Sequence, residues 1–414
     1  MRIAEARVTP IAFRDPPLLN VAGVHQPFAL RSIIEIVTED GVVGLGESYG
    51  TADILQALVE VAPALAGLPL FDTNAVVRRT AEVLGEPADG TAPYGSRRMA
   101  NTFGAFEVAI LDAQARHVGV PLAEHLGGAV REGVPYSAYL FYKFARHADP
   151  GEPADDWGEV IGHAQMVEEA RRMVRDYGFS SLKLKAGVFE PDYEIETLRA
   201  LRRAFPDLPL RIDPNAAWSV ATTLRVLPAL DGLLEYLEDP TEPLEAMGDV
   251  ARHATMPLAT NMVTTHFDHL PATIRLGAAQ VILSDHHFWG GLRATQQLAA
   301  VCRVWGLGVS MHSNSHLGIS LAAMTHVAAS IPNLSYACDT HYPWQTDEVI
   351  AEGKLRFVDG CLPLPSGPGL GVTLDRTALA RLHRNFLDCG IRTRDDATEM
   401  RKHQPDWNGD RPRF

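Results

Sequence analysis

From about residue 134 the chain alternates short apolar runs with segments of helical spacing. The runs are PYSAYL, SLKLKA, LPLRID, LLEYLE, PLATN, QVILSD, LGVSMHS and LSYACD. Brief, nearly continuous apolar stretches of this kind suit strands covered on both faces. Between them lie EEARRMVRDYG, DYEIETLRALRRAF, ATTLRVLPAL, LRATQQLAAVCRVWG and GISLAAMTHVAAS, which read as helices. Eight strands alternating with helices predict an α/β fold of the (β/α)8 type, a modified TIM barrel. An open doubly wound sheet is the alternative, since alternation alone does not close a ring. The first 60 residues follow another pattern. IAEARVTPIAF and ALRSIIEIVTEDGVVGLGES predict strands with a hairpin at Glu39-Asp40-Gly41. ADILQALVEVAPALAGL then places Leu55, Leu58, Val59 and Ala62 at helical spacing. The expected organisation is an α+β capping domain over 1–130, completed by a C-terminal segment from about 370 to 414, and a barrel over 131–369. CLPLPSGPGLGV marks the exit from the barrel, and RTRDDATEMRKHQPDW is expected at the surface or in the cap.

Composition narrows the functions. A net charge of −14 over 414 residues provides no basic face for nucleic-acid phosphates. No apolar run reaches the roughly 18 residues of a membrane span, and MRIAEARVTP has no apolar leader core. The four cysteines (Cys302, Cys338, Cys361, Cys389) lack CxxC spacing and read as unpaired thiols of a cytoplasmic protein. Gly44-x-Gly46 lacks the full dinucleotide-binding pattern and is read as a tight turn.

The informative anomaly is polarity at the strand ends. Strand two carries Lys183 and Lys185 on one face, because side chains alternate along a strand. Strand three ends with Asp213 and Asn215, strand four with Glu238, strand five with Asn261, strand six with Asp285 and strand seven with His312. Any one of these could be a helix cap. Six consecutive strands ending this way point to the carboxyl-end face where barrel enzymes assemble their chemistry, since each buried charge is costly unless paired or metal-bound. Asp213, Glu238 and Asn261 offer an all-oxygen set suited to Mg²⁺. The two lysines lie to one side, and His312 with Asp285 to the other. His266, His269, His286, His287 and His316 are read as structural or surface residues, Trp289 as packing between helix and barrel, and MVEEARRMVRD as a solvated amphipathic helix.

At these residues the sequence resembles the enolase superfamily, and within it the glucarate dehydratase family. The likeness rests on KLKAGV, DPNAAWS, EDP, ATNM, DHHFWGG, HSNSHLGISLAAMTHVAA and DTHYPWQ, in family order and spacing across most of 130–350. The resemblance implies Mg²⁺ on Asp213, Glu238 and Asn261, with a Lys or His base as is known for that superfamily. It implies Lys185 as one base and His312, paired with Asp285, as the other, on opposite faces of the reacting carbon. It further implies substrate contacts from Asn20, His25, Tyr139, Lys183, Asn215, Ser313, Asn314, His341 and Arg394. Arg394 is apt for a distal carboxylate because its planar fork matches one.

The implied reaction is dehydration of an aldarate such as D-glucarate to a keto-deoxy acid. A racemase or epimerase of the same superfamily, or a non-catalytic acid-sugar-binding homologue, are the alternatives. The expected partner is a small diacid sugar, with no nucleic acid or membrane, in a homo-oligomeric protein. One departure stands out. Where the family usually has two threonines before the helix leading into the barrel, this chain reads GSRRMANTF. Arg97 and Arg98 fall there, so the far end of the substrate is expected to be read differently.

Overall fold

The structure, a computed structural model, describes residues 1–87 and 95–414. Its first layer is an antiparallel sheet of β1 (Ile3–Arg14), β2 (Phe28–Thr38) and β3 (Val43–Tyr49), paired in that order. The hairpin at Glu39-Asp40-Gly41 joins β2 to β3, with Gly41 at φ 86°, a conformation open to glycine at little cost. Three helices follow: α1 (Ala52–Val61), α2 (Thr73–Leu84) and α3 (Arg97–Val118). Leu58 and Ala62 are buried as their spacing predicts, but Val59 is 53% exposed, because within α1 it lies about 100° round the helix from Leu58, on the side away from the buried Ala57 and Val61.

Gly44-x-Gly46 is not a turn. Both glycines lie within β3, where a Cβ on Gly44 would fall 2.0 Å from the Ala109 carbonyl oxygen, and one on Gly46 would fall 2.8 Å from that of Ala105. They form a smooth strip on which the backbone of α3 lies, so the pair serves close packing of helix on strand.

The second layer is a parallel sheet of seven strands: β4 (Ala138–Phe141), β5 (Leu182–Lys185), β6 (Leu210–Asp213), β7 (Tyr236–Glu238), β8 (Leu258–Thr260), β9 (Val281–Ser284) and β10 (Gly308–Met311). They pair in sequence order. Their connecting helices are α4 (His163–Tyr177), α5 (Pro191–Ala204), α6 (Val220–Leu230), α7 (Leu244–Ala251), α8 (Leu270–Leu276) and α9 (Leu292–Trp305), and α10 (Gly318–Ser330) follows β10. Each expected helix is present within a few residues of its predicted span. The eighth expected strand, LSYACD, is not a regular strand. It runs extended between β10 and the start of β4, through single parallel bridges Val309↔Leu334 and Tyr136↔Cys338. Asp339 N donates to Met311 O at 2.8 Å and Ser137 N to Cys338 O at 2.8 Å, so the ring is completed by an irregular segment.

One apolar cluster spans the barrel and its helices, and a second, including Ile34, Leu58 and Phe106, holds α1–α3 on the first sheet. Trp289 is buried against the edge of Phe267, with centroids 5.2 Å apart. All four cysteines are free, and burial pushes the thiols of Cys302 and Cys338 up to about 12. No helix among the described residues is long and apolar enough to cross a membrane. After the barrel, α11 (Arg376–Asp388) packs on β1, and α12 (Asp396–Arg401) packs on the short antiparallel ladder of Leu19–Asn20 with Gly23–Val24. The final residues turn back onto the mouth of the barrel. Trp407 Nε1 donates to Ala22 O at 2.7 Å, and Arg413 N and Phe414 N donate to Ala217 O at 2.7 and 2.9 Å.

Candidate active site

The polar strand ends converge, as a parallel ring dictates. Register sets Tyr139 beside Lys183, and Lys185 beside Asp213. Lys185 Nζ donates to Asp213 Oδ2 at 2.7 Å, and the Tyr139 hydroxyl donates to the same oxygen at 3.0 Å. Asn261 Nδ2 donates to Glu238 Oε1 at 2.8 Å. Lys183 Nζ is fully buried, 2.6 Å from Glu238 Oε2, 2.6 Å from Asp339 Oδ2 and 3.8 Å from Asp213 Oδ2. Lys183 thus binds carboxylates below the floor of the cavity and does not itself line it.

Two acids escaped the sequence reading. Asp339 ends the irregular eighth segment, and its place at the end of LSYACD followed the same strand-end rule. Asp239, beside Glu238 in EDP, accepts from the Thr260 hydroxyl at 2.5 Å and from Asn261 N at 2.8 Å, and so fixes the backbone that presents Asn261. Burial pushes Asp239 up to about 7 and Glu238 well above the usual carboxylate range, although Lys183 opposes the latter. Asp213 moves the other way. Burial raises it, but Lys185 and Lys183 together hold it below the usual range.

This cluster fits a divalent cation. Asp213, Glu238 and Asp339 meet the ammonium groups of Lys183 and Lys185, and the buried Asp239 lies beside them. Arg211 stands 4.0 Å from Asp339 while pairing with Glu235 at 2.6 Å, so these five acids and three cations leave an excess of two negative charges when all are ionised. Glu238 Oε2 meets Lys183 as an ion pair but accepts no hydrogen bond. Asp213, Glu238 and Asn261 offer oxygen at the ends of three adjacent strands, the donor chemistry of a hard cation. Excess buried carboxylate of this kind is costly without a counter-charge.

Across the mouth stands the second pair. His312 Nδ1 lies 3.0 Å from Asp285 Oδ2, leaving Nε2 to face the cavity. Asp285 Oδ1 accepts from His287 N at 2.9 Å and lies 2.7 Å from His287 Nδ1. Burial opposes its charge, but His287 and His312 hold Asp285 well below the usual range. His287 is therefore a partner of the dyad, which its sequence position, read as structural, did not reveal.

Between the two pairs lies a cavity of about 630 Å³. Its floor carries Tyr139, Lys185, Asn215, Asn261, His312 and His341, and its rim Asn20, His25, Arg97, Asn314, Arg394 and Arg411. Asn215 adopts φ +55°, with its backbone N donating to Asp213 Oδ1 at 3.0 Å. His25 Nδ1 lies 2.9 Å from Asp15 Oδ2, and the His25 ring lies nearly parallel to His341. Asn20 Nδ2 donates to Asp396 Oδ2 at 2.8 Å, and the Arg394 guanidinium grips the same carboxylate. Asn314 Nδ2 donates to the Tyr49 hydroxyl at 2.8 Å. Ser313 lies behind this wall, its Oγ accepting from His341 N at 3.1 Å. It holds His341 in place and does not line the cavity. Of the two arginines that depart from the threonine pair, Arg97 lines the cavity with its guanidinium over Phe288 at 4.4 Å. Arg98 turns toward Glu60 at 3.3 Å.

The family described as enolase C-terminal domain-like matches residues 165–378, and the mandelate racemase / muconate lactonizing enzyme N-terminal domain matches 4–127. A probable glucarate dehydratase of Streptomyces coelicolor is 50% identical over 98% of this chain and 97% of its own length. A solved enolase from Mycobacterium smegmatis, complexed with tartrate, is 52% identical with a TM-score of 0.96, covering all of this chain and 98% of that one. Another, from Pseudomonas fluorescens with bound magnesium, potassium and tartrate, is 52% identical with a TM-score of 0.96, covering all of this chain and 99% of that one.

Proposed function

Because the chain belongs to the enolase superfamily, we propose that it is a magnesium-dependent hydro-lyase that dehydrates an acid sugar, an aldarate such as D-glucarate, to a keto-deoxy acid. One observation carries this reading. Two proton-transfer groups, Lys185 and the Asp285-supported His312, face one cavity from opposite sides of a carboxylate cluster that wants a cation. The tartrate held by two solved relatives, a small hydroxy diacid, supports a substrate of that class. The magnesium in one of them supports the metal, with Asp213, Glu238 and Asn261 as its holders here.

A bound divalent cation would supply positive charge against the negative charge that develops on the substrate carboxylate when the α-proton leaves. The protein's own groups do the rest. Lys185 must release Asp213 to reach the substrate carbon, and Tyr139 remains to hold that carboxylate. On the other face, Asp285 holds the Nδ1–H of His312, so that Nε2 is the basic nitrogen. One group accepts the α-proton as an enediolate forms. The β-hydroxyl takes a proton from whichever of Lys185 and His312 then carries one and leaves as water. The enol ketonises by taking a solvent-derived proton on carbon and losing its hydroxyl proton, giving the 2-keto-3-deoxy acid. A positioned base supplies about 10²–10⁴ in rate, roughly 3–5 kcal/mol, against a typical total of at least about 8. Most of the remainder must come from charge held around the carboxylate, which is why acids and lysines occur together here.

The test is incubation of the magnesium-loaded protein with D-glucarate and a panel of aldarates in heavy water. The expected product is a keto-deoxy acid carrying solvent deuterium. Isomers alone would establish an epimerase instead, and neither exchange nor product with any diacid would refute both enzymatic readings.

The rim separates this chain from a threonine-bearing site. Arg97 and Arg394 place two guanidinium groups at the cavity's outer wall, where a distal carboxylate would meet them. Arg97→Thr is expected to raise KM for a dicarboxylate about tenfold, the worth of one charge-assisted hydrogen bond in a partly open site, with kcat changed much less. Steady-state kinetics on a diacid and its monoacid counterpart check this. An equal effect on both would remove Arg97 from the recognition of the far end.

A further inference from the structure

The second histidine on Asp285 is itself held from outside the barrel. His287 Nε2 lies 2.9 Å from Arg31 Nη2 and 3.0 Å from Ser320 Oγ. Arg31 belongs to β2 of the first sheet. Its Nε donates to Glu47 Oε1 of β3 at 3.0 Å, and its guanidinium lies over the Tyr49 ring at 4.6 Å. Glu47 in turn accepts from the backbone of Leu317 and Ser320 at the start of α10, each at 2.9 Å. Arg31, Glu47, His287 and Asp285 are all buried. An unbroken chain thus runs from the antiparallel sheet through His287 and Asp285 to His312.

The chain has a direction, set by one fact of chemistry. A guanidinium can only donate hydrogen bonds. His287 Nε2 must therefore accept from Arg31, although the Glu47 carbonyl 3.1 Å away would receive an N–H there. The ring's single proton then lies on Nδ1 and goes to Asp285 Oδ1. We propose that His287 is a positioning residue, locked by Arg31 as the neutral Nδ1–H tautomer, and that its hydrogen bond to Asp285 sets how firmly His312 holds its proton.

A donor on Oδ1 draws negative charge away from Oδ2, the oxygen that faces His312, and so keeps His312 less basic than a lone carboxylate would. The other ionisable groups around the relay are Tyr49, Arg31, Glu47, His286 and His316, with His341 on the cavity side of His312. This assignment rests on His312 being a base, and its test needs no substrate.

The experiment uses the full-length, magnesium-loaded protein with nitrogen-15-labelled histidine, and reads each ring's tautomer and titration by NMR. In the wild type the His287 signals are expected to stay in the neutral form, protonated at Nδ1, from pH 5.5 to 8.5. His287→Leu is expected to raise the His312 midpoint by about half a unit to one unit, the equivalent of one lost hydrogen bond. His287→Asn, whose amide can still donate to Asp285, is expected to restore most of that shift. A proton on His287 Nε2 in the wild type, or an unmoved His312 midpoint in folded His287→Leu, would overturn the proposal. If the leucine variant does not fold, the wild-type tautomer decides alone. Failure of the aldarate assay would leave these readouts intact, so the two results are separable.

Discussion

Lys185→Ala is expected to lower aldarate turnover by about 10²–10⁴, and to abolish solvent exchange of the α-proton on one face of the substrate carbon only. His312→Asn is expected to do the same for the opposite face. The reason is geometric. Lys185 lies at the end of β5, and His312 follows β10 across the mouth, so a carbon between them presents one face to each. Neither side chain holds another in the fold so firmly that its loss should unfold the chain. Asp213 keeps Tyr139 and Asn215 N as partners without Lys185, and Asp285 keeps His287 without His312. Deuterium incorporation, followed with both epimers of the substrate, separates the faces. Loss of exchange on both faces in either variant would mean a single base serves the reaction, and wild-type turnover in both would leave neither as a base.

The strand-end site and the relay behind it were legible to different degrees, and the physics explains the difference. Strand ends are local. Once the apolar runs are recognised, alternation puts Lys183 and Lys185 on one face and Asp213 beside Lys185, with no knowledge of distant contacts needed. The eighth run failed as a strand because it bonds its neighbours only at isolated positions, and an apolar pattern cannot report which backbone groups find partners. Gly44 and Gly46 were misread for a related reason: a glycine in a strand signals close approach as readily as a turn, and the approaching helix, α3, begins some 50 residues later. Lys183 shares a face with Lys185 but sits one layer deeper, and burial depth is not written in a period of two. The partnership of Arg31 with His287 spans 256 residues. Nothing local to either residue announces it, and a histidine in DHHFWGG looks the same whether it is packed inertly or wired to a carboxylate.

Glu238→Gln is expected to do two opposite things: abolish the gain in stability on adding magnesium, and make the metal-free protein more stable than the metal-free wild type. Burial among Asp213, Asp339 and Asp239 raises the Glu238 carboxyl well above its usual range. A group whose proton affinity rises on folding favours the fold while it is protonated, and that benefit is lost as the pH climbs above about 4.5 toward the folded value. Glutamine carries no such charge, so the stability gap between variant and wild type without metal should widen from pH 5 to pH 8. Its amide can be accommodated: the oxygen can take Lys183, which also keeps Asp339, and the amino group can meet Asn261 once that amide turns over. A cation at 100 times its dissociation constant stabilises the wild type by about 2.7 kcal/mol, and removing one of two charged oxygen ligands should erase most of that gain together with turnover. Thermal denaturation with chelator and with magnesium, at both pH values, measures each effect. An undiminished response to magnesium in Glu238→Gln would place the cation elsewhere. A metal-free variant less stable than the wild type at pH 8 would mean that the pairing of Lys183 with Glu238 outweighs the repulsion among the acids.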